Sequence, residues 1–218
     1  ELFSHAYVRR VFEDFPEREA DISARAEAAF QVGGAPSVKQ IVADAATETG
    51  AFAVQYYAPR AQDRDLIRFI TEIVRIFRHL EKTDPMRCYR FATGKPSGNQ
   101  ADDSLDALGR AIGDERIAAY QAAVDEMTTR AFQQPVKYDV PRAEAIVTAV
   151  GQEIIARDGI ESLALLSGNR DVTSDVDAKR ACRAAGDMYE RITRHPAAEA
   201  AGALRHVLRD ATVPATEP

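Results

Sequence analysis

The chain has 218 residues, of which 45% are hydrophobic and 28% charged, as in an ordinary globular protein. This length allows one well-buried core and does not require two domains. The formal net charge of −6 argues against a general nucleic-acid or anionic-membrane binder. No apolar run approaches the ~18 residues that a membrane-spanning helix needs, and no signal peptide is visible.

The first third of the sequence predicts three helices separated by proline and glycine. Residues 2–15 predict a short helix, which Pro16 ends because its ring disfavours a helical conformation at the preceding residue. Pro16 also starts the second helix, which ends at the glycine pair 33–34. Ser37 is the predicted N-cap of the third helix, and Gly50 weakens that helix by about 1 kcal/mol relative to Ala and indicates a kink or break.

The stretch 64–82, RDLIRFITEIVRIFRHLEK, is the most apolar helical segment of the chain. A helix with so wide an apolar face must be covered on several sides, so it is predicted to lie at the centre of a bundle. That face consists of Leu66, Ile67, Phe69, Ile70, Ile73, Val74, Ile76, Phe77 and Leu80.

The remaining sequence predicts a loop followed by more helices. Residues 86–103, which contain glycines and a proline, predict the loop. Ser104 starts a helical region interrupted at Gly109 or Gly113, with Asp114 as a cap, and Asp175 caps a later helix. The predicted fold is a single all-α domain of about eight or nine helices over residues 1–210, followed by a disordered tail at 211–218.

The two cysteines, Cys88 and Cys182, are 94 residues apart, each beside or within an amphipathic helix. A single pair in these positions favours one disulfide, which requires an oxidising compartment. The alternative is two unpaired, buried thiols that behave as small hydrophobic groups. A catalytic thiol is disfavoured because neither cysteine has a neighbouring His or a glycine-rich elbow.

Basic residues crowd the end of the 64–82 helix and the segment after it. Together with a tyrosine, they predict a patch that binds a carboxylate or phosphate anion. The alternative is a solvated face whose cations favour the C-terminus of the helix. The candidate anion-binding residues are Arg75, Arg78, His79, Arg87, Tyr89 and Arg90.

Motifs for metal, phosphate or nucleophile chemistry are missing from the sequence. The histidines lack partners at metal-ligand spacing, and the run ATGKPSG lacks the pattern of a Walker loop. The sequence therefore predicts no metal and no cofactor. For an enzyme built on dispersed residues, Glu72 and His79 are the one pair to test, because they lie seven apart on one helical face.

Residues 22–57 resemble the helix-turn-helix head of TetR-type regulators. The family's order of apolar and glycine positions is followed by Ile22, Phe30, Gly34, Ser37, Val38, Ile41 and Gly50, although the interval from Gly34 to Ser37 is two residues shorter than in the family. The resemblance implies a turn at residues 46–49 and an intracellular, ligand-responsive dimer that binds DNA. The segment in the position of the recognition helix, TETGAFAVQYY, has no Arg or Lys for phosphate contacts. The alternative is two antiparallel helices joined by a glycine turn.

Together, these observations predict a non-enzymatic helical domain that binds another protein or a small anion. The expected contact region is residues 91–103 with the basic residues beside them. We expect the domain to be the soluble, extracytoplasmic part of a bacterial anchored or secreted protein, because the sequence starts at Glu1 without Met and its cysteines suit a disulfide. The Arg- and Ala-rich composition is typical of a GC-rich bacterial genome. The regulator and the all-α enzyme remain the alternatives.

Overall fold

A computed structural model describes residues 5–95, 104–167 and 170–212, with side chains described up to residue 209. This part of the chain is entirely α-helical apart from turns and one 3₁₀ segment, Ala58–Arg60, which confirms the all-α prediction. It contains ten α-helices, where the sequence predicted about eight or nine. They are α1 (Ala6–Asp14), α2 (Pro16–Tyr57), α3 (Asp63–Thr83), α4 (Pro85–Thr93), α5 (Leu105–Ile112), α6 (Asp114–Thr129), α7 (Val140–Asp158), α8 (Ile160–Leu166), α9 (Asp175–Ile192) and α10 (Ala197–Thr212).

The long helix α2 is a hairpin of two helical arms that reverse direction at Gly34. This residue has φ 65° and ψ −156°, a backbone conformation open essentially only to glycine. The arms run antiparallel, since Arg25 pairs with Glu48 and the Arg18 guanidinium lies over the Phe52 ring. The glycine turn predicted from the sequence is therefore present.

The second arm of α2 differs from its prediction at two positions. Ser37 lies inside the helical run instead of capping it, because the helix resumes directly after the Gly34 break. Gly50 neither kinks nor breaks the helix, which continues to Tyr57. Contacts with α1 and α6 hold this arm in helical form despite the low helix propensity of glycine.

Helix α3 contains the apolar stretch singled out in the sequence. It packs mainly against α9, α6, α10 and α4. Leu66, Phe69 and Ile70 join the larger core cluster, which also includes residues of α1, α2, α6, α7, α9 and α10. Ile76 and Leu80 lie in a second cluster with both cysteines. Within the described ranges, no helix is long and apolar enough to cross a membrane.

The loop predicted for residues 86–103 is wrong in its first part, where α4 forms instead. Asp84 caps this helix, its carboxylate accepting a hydrogen bond from the Arg87 backbone N–H at 3.0 Å. Gly94 ends it in a left-handed conformation with φ 66°. The pairing of α4 with α9 explains why a short, locally weak helix persists. Residues 96–103, the rest of the predicted loop, lie outside the described residues.

Several helix ends follow the local chemistry of the sequence. Ser104 caps α5, its hydroxyl accepting from the Ala107 N–H at 3.1 Å. Gly113 separates α5 from α6 with φ 86°, and it occupies the cap position predicted for Asp114. Ser174 caps α9 in place of the predicted Asp175, which lies in the first turn. Helix α10 continues to Thr212, and residues 213–218, most of the predicted tail, are outside the described part.

Candidate ligand-binding site

A cavity of about 880 Å³, open to solvent on one side, lies among α1–α6 and α9. This volume lies within the range of small-molecule binding sites. Most of the lining residues are apolar, and seven helices contribute to the lining. The lining residues are Tyr7, Ala46, Thr47, Gly50, Ala51, Val54, Gln55, Phe69, Ile73, Phe77, Arg87, Arg90, Phe91, Ala92, Gly94, Lys95, Ser104, Leu105, Leu108, Tyr120, Gln121, Val124 and Tyr189.

Aromatic rings form a continuous wall of this cavity. The Tyr120 ring lies 5.9 Å from Phe69 and 6.4 Å from Phe91, measured between centroids. Phe77 continues the series at 5.6 Å from Phe91 and 6.1 Å from Tyr189. Phe69 and Phe77 are held by α3, whose burial on several sides fixes their positions. The wall offers flat apolar surface for stacking or for contact with a hydrocarbon body.

The α4 side of the cavity carries positive charge. Arg87, Arg90 and Lys95 line it, and no Asp or Glu occurs among the described lining residues. The Arg87 Nε donates to the Asp84 carboxylate at 3.0 Å, so this charge is partly compensated. Arg90 has no carboxylate partner within the described part of the chain. This side of the cavity therefore carries a local excess of positive charge.

Two tyrosines line the cavity, Tyr7 on α1 and Tyr120 on α6. Tyr7 is 3% exposed, and neither hydroxyl has a hydrogen-bond partner among the described residues. Burial, helped by the charge of Asp125, raises the pKa of Tyr7 to about 12. Burial also raises the pKa of Tyr120, with a smaller contribution from Tyr7. Both hydroxyls therefore stay protonated and can donate at neutral pH.

Gly50 accounts for part of the free space beside Tyr7. A Cβ at this position would meet one neighbour within 4 Å, the Tyr7 hydroxyl oxygen at 3.8 Å. A larger side chain there would enter the cavity. The residue that the sequence marked as a weak point of the helix thus lines the cavity, and an unexplained glycine inside a helix was the available signal.

The six predicted anion-binding residues do not form one patch. Arg87 and Arg90 line the cavity, whereas Arg75, Arg78 and His79 line a separate groove of about 540 Å³. Tyr89 lines neither, because it is 5% exposed and packs in a cluster with Leu165, Ala178 and Ala181. The six residues are close together in the sequence, but the turn between α3 and α4 directs the side chains of the two helices to different places.

Arg78 is occupied by a structural ion network. Its guanidinium contacts the carboxylates of Asp187 and Glu190 on α9 and lies 3.6 Å from Glu81. Asp187 is 7% exposed and also pairs with Arg157 of α7. The network joins three helices, so the Arg78 guanidinium helps to hold the bundle together.

Glu72 and His79, the pair considered for an enzyme, each have another partner. The Glu72 carboxylate accepts from Arg75 at 2.8 Å. The His79 Nε2 lies 3.1 Å from the Ala111 carbonyl oxygen. Neither residue lines the 880 Å³ cavity. In the described ranges, no group of three His, Cys, Asp or Glu side chains is placed to hold a metal ion.

Cys88 of α4 and Cys182 of α9 form a disulfide, with their Cα atoms 5.6 Å apart. This bond is compatible with the single staple favoured by the sequence. Both cysteines are fully buried in the cluster that contains Phe77. Because α4 supplies the cationic side of the cavity, the disulfide fixes that side against the rest of the bundle.

The TetR-like turn implied by the resemblance is not formed. Residues 46–49 lie inside the continuous second arm of α2, and Ala45, Thr49 and Ala53 of that arm are buried against the bundle. A recognition helix must be free to enter the major groove, and this segment is not. Comparisons with models of protein families, with curated proteins and with solved structures found no match to this chain.

Proposed function

We propose that this chain is a non-catalytic binding domain whose cavity holds a small amphiphilic organic anion. The composition of the lining carries this proposal. Aromatic and aliphatic side chains surround most of the space, and the charged side chains in the described lining are all cations. In a chain with a net charge of −6, this local reversal of sign selects for an anion.

We also propose that α3 is the scaffold of a single domain built around this site. It packs mainly against four other helices and supplies Phe69, Ile73 and Phe77 to the cavity. The larger core cluster links residues from seven of the ten helices, which supports one cooperative unit.

The extracytoplasmic location expected from the sequence remains part of the proposal. The buried Cys88–Cys182 disulfide supports it, because such bonds persist in oxidising compartments and are rare in reducing ones. A ligand-binding domain outside the cytoplasm would meet its ligand without membrane transport. Isolation from the native host followed by a thiol count tests this location directly.

A fluorescent-probe titration tests the proposed site. The anionic probe 1-anilinonaphthalene-8-sulfonate should bind the native protein with a blue-shifted emission. Gly50→Leu should weaken binding by about tenfold or more, since the four-carbon leucine side chain occupies the apolar space that the probe needs. Gly50→Ala is the matched control, because its single methyl group leaves most of the cavity open.

Charge selectivity is tested with Arg90→Gln. This change should weaken binding of the anionic probe by about tenfold, which is the loss of affinity expected when one charge-assisted hydrogen bond is removed. It should leave the neutral probe N-phenyl-1-naphthylamine unaffected. Arg75→Gln, outside the cavity, is the control for a general loss of positive charge. Equal binding of the anionic probe by the native protein and the Gly50→Leu variant would exclude this cavity as the site.

A further inference from the structure

We infer that the ligand has a second polar group, a neutral oxygen acceptor on its apolar body, and that the hydroxyls of Tyr7 and Tyr120 donate hydrogen bonds to it. This inference rests on the proposed function and adds the chemical class of the ligand. The class is an organic acid that also carries a hydroxyl or carbonyl oxygen.

The hydroxyls of Tyr7 and Tyr120 are hydrogen-bond donors with no acceptor among the described residues. Tyr7 is only 3% exposed and lines the cavity. Its hydroxyl has no hydrogen-bond partner among the described residues. Buried polar groups are nearly always hydrogen-bonded, so a donor that faces a cavity favours a ligand that brings an acceptor to it. Tyr120 reaches the same cavity from another helix and is electrostatically coupled to Tyr7.

The surroundings of the Tyr7 hydroxyl favour a neutral acceptor on the ligand over a charged one. The α1 and α2 residues that line the cavity are all uncharged, so no cation there compensates a second anion. Asp125 lies close, its carboxylate accepting from the Tyr7 backbone N–H at 2.7 Å. Its negative charge repels an anion at this side and tolerates a hydroxyl or carbonyl oxygen.

The position of Gly50 adds an independent observation. Its missing side chain leaves the Tyr7 hydroxyl open to the cavity, although every other residue type except proline has a higher helix propensity. The cavity therefore combines an anion-attracting side at α4 with a donor pair on α1 and α6. The aromatic wall lies between these elements.

Displacement of the anionic probe by matched acids tests this inference. The ligands are decanoate, 3-hydroxydecanoate and 10-hydroxydecanoate. At least one hydroxylated acid should bind about three- to tenfold more tightly than decanoate, the gain expected of one net hydrogen bond. The double variant Tyr7→Phe/Tyr120→Phe should lose this preference while its affinity for decanoate stays within about twofold. Tyr57→Phe should keep the preference, because the Tyr57 hydroxyl donates to Asp14 at 2.8 Å away from the cavity lining.

Thermal unfolding of the free proteins separates recognition from structural roles. The double Tyr7→Phe/Tyr120→Phe variant should unfold at or above the native temperature, since it removes donors with no partner. Tyr57→Phe should unfold at a lower temperature because it breaks an existing hydrogen bond. The inference is overturned if neither hydroxylated acid is preferred or if the double variant retains the preference. Failure of all three acids to displace the probe would instead refute the proposed function.

Discussion

The disulfide allows a quantitative prediction, because its loop length and burial are both known. Removal of the bond by Cys88→Ala/Cys182→Ala releases a loop defined by a separation of 94 residues. The loop-entropy relation assigns about 4.7 kcal/mol at 25 °C to a closure of this length. Loss of the two buried sulfur atoms adds roughly 1 kcal/mol each. For a chain of 218 residues, the loop contribution alone corresponds to a fall in Tm of about 10 °C.

Urea denaturation of the native protein, both single variants and the double variant measures this quantity. Either single change already opens the loop, so each should lose most of the full effect. The second change should then cost only about 1 kcal/mol, which makes the two substitutions strongly non-additive. Thiol blocking should add no mass to the native protein, whose mass should be two hydrogens below that of its unblocked reduced form.

Two independent single-variant losses of about 1 kcal/mol, adding up in the double variant, would contradict this reasoning. They would mean that the cysteines contribute packing but no covalent constraint. The bond also fixes α4 against α9, so the double variant should bind the anionic probe more weakly than the native protein. Unchanged probe affinity would show that packing alone positions the cationic side of the cavity.

The ion pairs and the glycines give five further expected outcomes. Arg78→Met should lower the free energy of unfolding by about 2 kcal/mol in urea, less than for a fully buried pair because the Arg78 side chain is 33% exposed. Arg75→Met, at an exposed pair on the same helix, should cost under about 0.5 kcal/mol. Hydrogen bonding to Arg78 lowers the pKa of Glu190. The stability that ionised Glu190 contributes is therefore fully present above the unfolded-state pKa of about 4.3, and it is lost as the pH falls through the folded-state pKa. The stability of Arg78→Met should therefore fall less steeply below about pH 5 than that of the native protein. Gly34→Ala should cost about 1–3 kcal/mol in thermal or urea unfolding, while Gly50→Ala should gain about 0.5–1 kcal/mol.

Local chemistry made most helix boundaries readable from the sequence. Pro16 separates α1 from α2 because the proline ring restricts the residue before it. Gly113 and Gly159 end helices through positive φ, and Ser104 caps a helix with its own hydroxyl. These effects act within a few residues, so no knowledge of the fold was needed. One exception is α4, which is stabilised by pairing with distant α9.

The candidate site was only partly predictable, because its residues come from seven helices. Arg87 and Arg90 were identified by their charge, but so were Arg75 and Arg78, which the fold directs elsewhere. Sequence spacing shows which basic residues are near in the chain. It does not show which carboxylates, such as Asp187, will arrive from another helix to neutralise them.

The sequence by itself determined the helical class, the apolar stretch of α3, most boundaries and the favoured pairing of the two cysteines. The tertiary structure decided which polar groups found partners. Tyr57 received an acceptor from α1, whereas Tyr7 and Tyr120 were left facing a shared cavity. Periodicity and capping are properties of neighbouring residues, but the balance of donors, acceptors and charges at a site depends on contacts between residues far apart in the chain.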